Sequence, residues 1–298
     1  MASQSIESFT PLPRGVEDFT AEWLTRALAV RYPGAVVTSC HIGTVISGTA
    51  TKVRLLLDYN AAGHAHDLPP TMWAKGGFIE HAHTYYESFA VEASFFRDWA
   101  PRLPINIPKA YFAALEGGVQ GVVLMEDLLA RNASFGNATK PLTLDQQAQT
   151  LTMLARLHAE WWESPRLHEL ESFSVKWAAA DRVVMRLLES AYFESCLKNG
   201  RGSEIVGPYR DPSRVTEGLR AQWRKGEDIP QCFSHGDAHL GNMFFERDGA
   251  PGFLDWQSYQ RGPYMHDVAY SLIGGLTIED RRHAQRDLLD GYLKALAG

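Results

Sequence analysis

The sequence changes character once along its length, near residue 130. Before that point it carries short runs rich in β-branched and aromatic residues, such as TKVRLLLDYN and GVVLMEDLL, with one helix-like segment, YYESFAVEASFFRDWAPRL, among them. After it, helical spacing dominates, beginning with PLTLDQQAQTLTMLARLHAEWWESP, where Thr143 is suited to cap the helix and Pro165 to end it. The pattern predicts a strand-rich N-terminal part joined to a helix-rich C-terminal part, with the boundary in or just before ARNASFGNATKP.

Size and charge narrow the possible functions. A chain of 298 residues exceeds the usual size of one domain, so we expect two lobes, at residues 1–126 and 127–298. The hydrophobic fraction of 45% is sufficient for a packed core, and the formal net charge is −6. Proteins that bind a nucleic-acid backbone need a basic field, so the sequence predicts no nucleic-acid partner.

The cysteines and the N-terminal residues indicate in which cellular compartment the protein is expected. Cys40, Cys196 and Cys232 are widely separated and show no CxxC spacing, which favours a reducing compartment, the cytoplasm. The first residues, MASQSIESFTPLPRGVEDF, contain no basic segment followed by an apolar one. No later run approaches the ~20 apolar residues that a membrane span needs. We therefore expect neither export nor membrane association.

The polar stretch CFSHGDAHLGNMFF, residues 232–245, is the main candidate for a site. One interpretation is a zinc hydrolase, because His235, Asp237 and His239 alternate and would share one face of an extended segment. Gly236 and Gly241 interrupt that segment, so this is the less favoured interpretation. Further zinc ligands would have to come from Asp255, His266 and Asp267.

The other interpretation is phosphoryl transfer, which needs an aspartate near the acceptor hydroxyl, an Asn and an Asp on Mg²⁺, and a lysine on the phosphates. Asp237 and Asn242 have the spacing D-x-x-x-x-N, and Asp255 follows in GFLDWQ after a short apolar run. Upstream, Lys75 lies late in the strand pattern TMWAKGG, and Glu92 lies on the next helix, where it would pair with that lysine. This ordered set predicts a kinase.

These motifs carry a family resemblance. SHGDAHLGNMFF, GFLDWQ and RGPYMHDVAYSL, together with VLMEDLL, Lys75 and Glu92, resemble the aminoglycoside phosphotransferase and choline kinase superfamily. The C-terminal pattern is most similar to the ecdysteroid-kinase-like group, and the resemblance extends from about residue 40 to the end. It implies an α+β, protein-kinase-like fold with a small β-rich N-terminal lobe, a hinge and a larger, mainly helical C-terminal lobe.

The resemblance also assigns the catalytic and metal residues. Asp237 matches the catalytic aspartate that accepts or orients the proton of the substrate hydroxyl, and Asn242 and Asp255 match the magnesium ligands. Asp267 resembles the residue that tethers the catalytic loop from the following helix.

The nucleotide contacts are implied in the same way. Lys75 matches the lysine on the phosphates and Glu92 its partner. The backbone of Glu126, Asp127 and Leu128 matches the hinge that binds adenine. Ser47 and Gly48, in GTVISGTATKV, would form the turn over the nucleotide, although this turn has fewer glycines than the family often shows.

The sequence thus predicts an ATP- and Mg²⁺-dependent kinase of a small molecule that carries a hydroxyl group. Residues 173–225 are expected to hold this acceptor, and their Trp177, Met185, Tyr192 and Phe193 favour a partly hydrophobic alcohol or secondary metabolite. One alternative is an aminoglycoside phosphotransferase, whose polycationic substrate would favour an acidic pocket. Another is a nucleotide-binding pseudokinase or scaffold, which the poor glycine turn suggests. The choice between ATP and GTP and the oligomeric state are left open.

Overall fold

The computed structural model describes residues 11–78, 86–117, 120–170, 188, 191–198 and 200–298. The N-terminal part contains five strands that form one antiparallel sheet. Along the chain they are β1 (Val37–Ile46), β2 (Thr51–Tyr59), β3 (Thr71–Gly76), β4 (Ala110–Glu116) and β5 (Gln120–Glu126). Their order in the sheet is β1-β2-β3-β5-β4. Each run that was predicted to be a strand in this part forms one.

One face of this sheet packs on α1 (Ala21–Ala29). In β2 every second residue is buried, beginning with Thr51 and Val53, as expected of a strand with one face toward a core. The amphipathic helix α1 buries Trp23 and Leu28 in the same cluster. Alternation in the strand and helical spacing in α1 therefore build one hydrophobic core together.

A short helix, α2 (Ala61–Ala65), forms in NAAGHAHDLPP, between β2 and β3. Asn60 caps this helix, because its side-chain oxygen accepts a hydrogen bond of 2.9 Å from the backbone N–H of Gly63. Asn60 therefore begins a helix of little more than one turn in the connection between the two strands.

The opposite face of the sheet carries α3 (Tyr86–Ser94). Gly121 in β5 allows the close approach of this helix, because a Cβ atom at that position would lie 2.0 Å from the carbonyl oxygen of Phe89. The contact fixes the distance between helix and sheet and, with it, the position of Glu92 on α3.

The C-terminal part is mainly helical. Its described helices are α4 (Leu144–Glu160), α5 (Ala191–Lys198), α6 (Pro212–Glu227), α7 (Tyr264–Gly275) and α8 (Ile278–Leu296). Thr143 caps α4 as predicted, in a capping box with Gln146 whose two hydrogen bonds are 3.2 and 3.0 Å long. Much of the segment 173–199, part of the region expected to hold the acceptor and including Trp177 and Met185, lies outside the described residues.

Two small antiparallel sheets lie at the junction with the N-terminal part. The first pairs β7 (Gln231–Ser234) with β10 (Gln260–Pro263). The second is formed by β6 (Ser134–Phe135), β8 (Met243–Phe245) and β9 (Pro251–Phe253), with β8 in the middle. Together they hold the two ends of the polar stretch and the GFLDWQ segment in fixed register.

An aromatic core connects the two parts of the chain. Phe95, one residue beyond α3, stacks on Trp256 with ring centroids 4.2 Å apart and an interplanar angle of 6°. Phe233 stacks on Tyr259 at 5.5 Å. The predicted α+β fold, with a β-rich N-terminal lobe and a helical C-terminal lobe, is confirmed. The lobe boundary between 126 and 127 stays a prediction, and β5 ends at Glu126.

None of the helices in the described ranges combines the length and the apolar composition that a bilayer span requires.

Candidate active site

The polar stretch forms a tight loop after β7, not an extended segment. Gly236 has a φ of +80°, in the left-handed region, and a Cβ atom there would lie 2.1 Å from the carbonyl oxygen of Ser258. Only glycine fits this position. The turn breaks the alternation that would have placed His235, Asp237 and His239 on one face, so the arrangement assumed for a zinc site is not formed.

Hydrogen bonds occupy both ring nitrogens of His235. Nδ1 lies 3.1 Å from the backbone N–H of Asp237, and Nε2 lies 2.9 Å from the carbonyl oxygen of Leu254. Nδ1 must accept and Nε2 must donate, which defines a neutral imidazole, and burial lowers the pKa of His235 in agreement. No lone pair is left for a metal. Within the described ranges, no three His, Cys, Asp or Glu side chains are grouped as a metal site.

Asp267, at the start of α7, holds this loop in place. Its Oδ2 accepts the backbone N–H of His235 at 2.7 Å, and its Oδ1 accepts that of Gly236 at 2.9 Å. His158 Nε2 lies 3.3 Å from the same carboxylate, and His158 Nδ1 lies 2.8 Å from the Tyr292 hydroxyl. Burial alone would raise the pKa of Asp267, but the His158 hydrogen bond and the neighbouring histidines hold it well below its ordinary value. The carboxylate is thus a buried anchor.

Asp237 and Asn242 contact each other across the loop. Asn242 Nδ2 donates to Asp237 Oδ2 at 2.9 Å and to the Asp237 carbonyl oxygen at 3.0 Å. His239 begins the 3-10 turn that ends at Asn242, and its Nε2 lies 3.7 Å from Asp237 Oδ2. The Asp237 side chain is one-quarter exposed. The loop therefore orients a carboxylate that solvent and ligands can reach.

Lys75, Glu92 and Asp255 form a buried charge cluster. Lys75 Nζ lies 2.7 Å from Glu92 Oε2 and 2.9 Å from Asp255 Oδ1. Burial would lower the pKa of Lys75, but the two carboxylates raise it above its ordinary value. Burial would likewise raise the pKa of Asp255, but Lys75 lowers it. Lys75 and Asp255 are thus held in their charged forms, whereas burial raises the pKa of Glu92 against the opposing effect of Lys75. Asp255 has a φ of +60°, so the chain changes direction there after β9.

The predicted hinge follows β5. Asp127 is buried and its carboxylate accepts from Arg54 Nη2 at 2.7 Å, from Trp73 Nε1 at 3.1 Å and from the backbone N–H of Leu129 at 3.2 Å. These bonds attach the hinge to β2 and β3. Leu128 opens a 3-10 turn, so its own backbone N–H has no partner within that turn.

A second set of hinge contacts was not predicted from the sequence. Arg131 Nη1 lies 2.9 Å from Glu126 Oε2, and Arg131 Nη2 contacts Glu246. Glu246 also accepts from Asn106 Nδ2 at 3.0 Å. This network connects the end of β5 to the β8–β9 hairpin. Arg131 and Glu246 are 115 positions apart, and neither belongs to a motif that would have revealed them.

One cavity, of about 460 Å³, gathers most of the predicted nucleotide-site residues. Its walls are largely apolar, with Trp73, Phe96, Met125 and Leu254 among them. Four predicted site residues lie outside its lining: Ser47, Gly48, Asp127 and Asp237. Asp237 is connected to it through Asn242, whereas Ser47 and Gly48 lie in the short connection from β1 to β2. The polar lining consists of Lys52, Lys75, Glu92, Glu126, Asn242 and Asp255.

Comparison with known proteins identifies the family of the chain. The model of the phosphotransferase enzyme family matches residues 79–298, which contain the loop, the hinge and two of the three charged residues. The chain belongs to the phosphotransferase enzyme family. The prediction of a phosphotransferase is thereby confirmed, as is the resemblance at the level of the superfamily. None of the curated proteins compared with this phosphotransferase matches it.

Solved structures of other phosphotransferases are similar to this chain. A spectinomycin phosphotransferase, solved in complex with ADP and spectinomycin, superposes with a TM-score of 0.53 at 16% identity, covering 91% of this chain and 79% of that one. A choline kinase from Streptococcus pneumoniae has a TM-score of 0.47 at 12% identity, covering 85% of this chain and 75% of that one. The first of these supports the kinase-like fold of this phosphotransferase.

Two side-chain oxygen atoms in the phosphotransferase site are suitable ligands for a magnesium ion. Asn242 uses only its Nδ2 within the loop, and Asp255 uses only Oδ1 toward Lys75. No residue in the described part of the chain donates a hydrogen bond to Asn242 Oδ1 or Asp255 Oδ2. Mg²⁺ prefers such oxygen ligands and retains several waters and phosphate oxygens beside them. The residues present therefore fit the ion.

Proposed function

We propose that this phosphotransferase is an ATP- and Mg²⁺-dependent kinase that transfers the γ-phosphoryl group to a hydroxyl of a small molecule. The observation that carries the proposal is the convergence of Lys75, Asn242 and Asp255 on one cavity, beside the loop that orients Asp237. Lysine, Asn and Asp in this arrangement are the parts that phosphoryl transfer requires. The ADP complex of the spectinomycin phosphotransferase supports the choice of nucleotide.

The adenine moiety would occupy the apolar end of the cavity. Met125 and Leu128 line this end of the cavity on the hinge side, and Leu254, the residue that follows β9, lines it as well. The backbone of Glu126, Asp127 and Leu128 would then face the base, and the N–H of Leu128 is available as a donor. Arg54 and Trp73 keep this segment in place by holding the Asp127 carboxylate.

The charged residues would hold the phosphates. Lys75 is kept charged and aimed into the cavity by Glu92, so it can bind phosphate oxygens without reorganising. Asn242 and Asp255 would hold magnesium, which when bound offsets the charge that develops on the phosphates. Ser47 and Gly48 remain the proposed turn above them.

Asp237 would act on the acceptor. Asn242 binds its Oδ2, and the Tyr270 hydroxyl is a second hydrogen-bond partner of the carboxylate. The carboxylate is one-quarter exposed, so it can accept the hydrogen bond of the acceptor hydroxyl and take its proton during transfer. His158, by contrast, is fully buried, and its two ring nitrogens contact Tyr292 and Asp267.

For the acceptor we propose a neutral, partly hydrophobic alcohol rather than a polycationic aminoglycoside. His266, Tyr270 and Ile273 lie at helical spacing on one face of α7, and His266 Nε2 bonds the carbonyl oxygen of Gly236 at 3.0 Å. Tyr270 also packs its ring 5.6 Å from that of His239. Beside Asp237 this face thus presents exposed aromatic and aliphatic side chains, with Tyr270 40% and Ile273 67% exposed. We also propose that the chain belongs to the ecdysteroid-kinase-like group.

A panel of acceptors tests this choice. We expect neutral ring-containing alcohols, a steroid alcohol among them, to raise ADP release above the rate with water. Spectinomycin and an aminoglycoside should not. Tyr270→Ala is expected to raise KM for the best alcohol by about tenfold through lost apolar contact, whereas Val30→Ala, at an apolar side chain that is 45% exposed at the end of α1, should leave it unchanged. Efficient turnover of the aminoglycoside alone would contradict the proposed acceptor class.

We also propose that this phosphotransferase acts in the cytoplasm. Cys40, Cys196 and Cys232 are all free thiols in the structure, which is consistent with the reducing cytoplasm.

A further inference from the structure

Lys52 is a second cation in the cavity that contains Lys75. The two lysines are direct partners in the antiparallel pair of β2 and β3, and both line the cavity. Directly opposite residues in such a pair project from the same face of the sheet, with Cβ atoms roughly 4.5–5.5 Å apart. Two positively charged side chains are therefore placed side by side where the phosphates are proposed to bind.

The two lysines differ in the carboxylates that contact their ammonium groups. Lys75 is buried and lies within 3 Å of two carboxylates, those of Glu92 and Asp255. Lys52 is exposed, and it forms no ion pair or hydrogen bond with any residue that the structure describes. Like charges directly opposite each other destabilise a sheet. The charge of Lys52 acts on the carboxylates of Glu92 and Asp255 at longer range and favours their ionised forms, without a direct ion pair. Its ammonium group is thus left for a bound anion.

The position of Lys52 in the sheet points to the phosphates. Ile46, Lys52, Lys75 and Val123 are successive partners across four strands. Along this row Val123 is 1% exposed, Lys75 5% and Ile46 47%. Lys52 therefore lies between the buried phosphate lysine and the solvent, next to the connection from β1 to β2. A polyphosphate that contacts Lys75 and extends toward solvent passes beside it.

We infer that Lys52 binds the phosphates of the nucleotide together with Lys75 and positions the terminal phosphoryl group. Gly48 is the one glycine between Ile46 and Thr51, so this turn lacks the several glycines that let backbone N–H groups surround a phosphate closely. A triphosphate carries several negative charges, and the charge of Lys75 is already offset by two carboxylates. Lys52 supplies the cation that the turn and Lys75 leave missing. The inference rests on the proposed nucleotide site.

The test compares Lys52→Met with Lys140→Met, a change at an exposed lysine outside the cavity. Methionine keeps most of the length of the side chain and removes its charge. We expect Lys52→Met to raise the dissociation constant of Mg·ATP about tenfold, as for the loss of one charge-assisted contact, and to leave that of adenosine within about twofold. The midpoint of thermal unfolding without ligand should change by no more than about 2 °C, because Lys52 is exposed and forms no direct ion pair. Lys140→Met should change neither constant.

Calorimetric titration distinguishes the failure of this inference from that of the proposed function. If the wild-type protein binds Mg·ATP and Lys52→Met binds it equally well, the role of Lys52 is wrong and the kinase proposal is untouched. An equal loss of ATP and adenosine affinity would also overturn the inference, because the effect would not arise at the phosphates. If the wild-type protein binds neither ATP nor adenosine, both proposals fall together.

Discussion

Replacing Asp237 by Asn is expected to slow phosphoryl transfer by about 10²–10⁴-fold, the contribution of a positioned general base. The carboxamide keeps the size of the carboxylate and an oxygen for the hydrogen bond that Asn242 now donates at 2.9 Å, so the loop should retain its conformation. It cannot take up the proton of the acceptor hydroxyl. Affinity for Mg·ATP should stay within about threefold, because Asp237 does not line the nucleotide cavity.

The measurement is the initial rate of ADP release, with the best alcohol of the acceptor panel and with water alone. Asp290→Asn is the matched control, because Asp290 is exposed on α8, away from the loop. Turnover by Asp237→Asn within a factor of about ten of the wild-type rate would contradict the catalytic role of Asp237.

The second large effect is expected on stability. Asp267→Asn leaves one oxygen for three donors, the backbone N–H groups of His235 and Gly236 and the ring N–H of His158. Breaking a buried ionic network by removing one partner typically lowers the free energy of unfolding by about 3–5 kcal/mol. For a chain of this size we expect the thermal midpoint to fall by roughly 10 °C. Asp290→Asn should stay within about 0.5 kcal/mol of the wild-type protein.

The effect of Asp267 should also depend on pH in a defined direction. Its pKa is lower in the folded protein than in the unfolded chain, so its contribution is complete above about pH 4 and is lost as the pH falls toward the folded value. Between pH 7 and pH 3 the difference in unfolding free energy between the wild-type protein and Asp267→Asn should therefore shrink by about 1 kcal/mol. Urea titrations at both pH values measure it, and a difference that grows toward pH 3 would rule out an ionised Asp267 anchor.

Local patterns in the sequence were sufficient for much of the fold. The alternation in β2 and the capping signal at Thr143 both depend on neighbouring residues alone, and both are seen in the structure. The order of Lys75, Glu92, Asn242 and Asp255 along the chain likewise indicated a shared site, and the structure brings all four to one cavity.

Features that depend on distant partners could not be predicted in this way. The pairing of β7 with β10 joins Ser234 to Gln260 across the whole GFLDWQ segment. The contact of Arg131 with Glu246 has no local pattern at either residue. Lys52 appeared in the sequence as an ordinary residue of a strand, and only its register opposite Lys75 shows where it points.

The thermal unfolding midpoint with ATP, measured with and without Mg²⁺ on the wild-type protein and on Asp255→Asn, tests the central claim most directly. Ligand at about 100 times its dissociation constant should stabilise the folded protein by about 2.7 kcal/mol. The proposed kinase predicts a rise in the wild-type midpoint that requires Mg²⁺ and is lost in Asp255→Asn, whose Oδ2 would no longer be a carboxylate ligand. No rise with ATP, or an equal rise in Asp255→Asn without Mg²⁺, would contradict a magnesium nucleotide site built on Asn242 and Asp255.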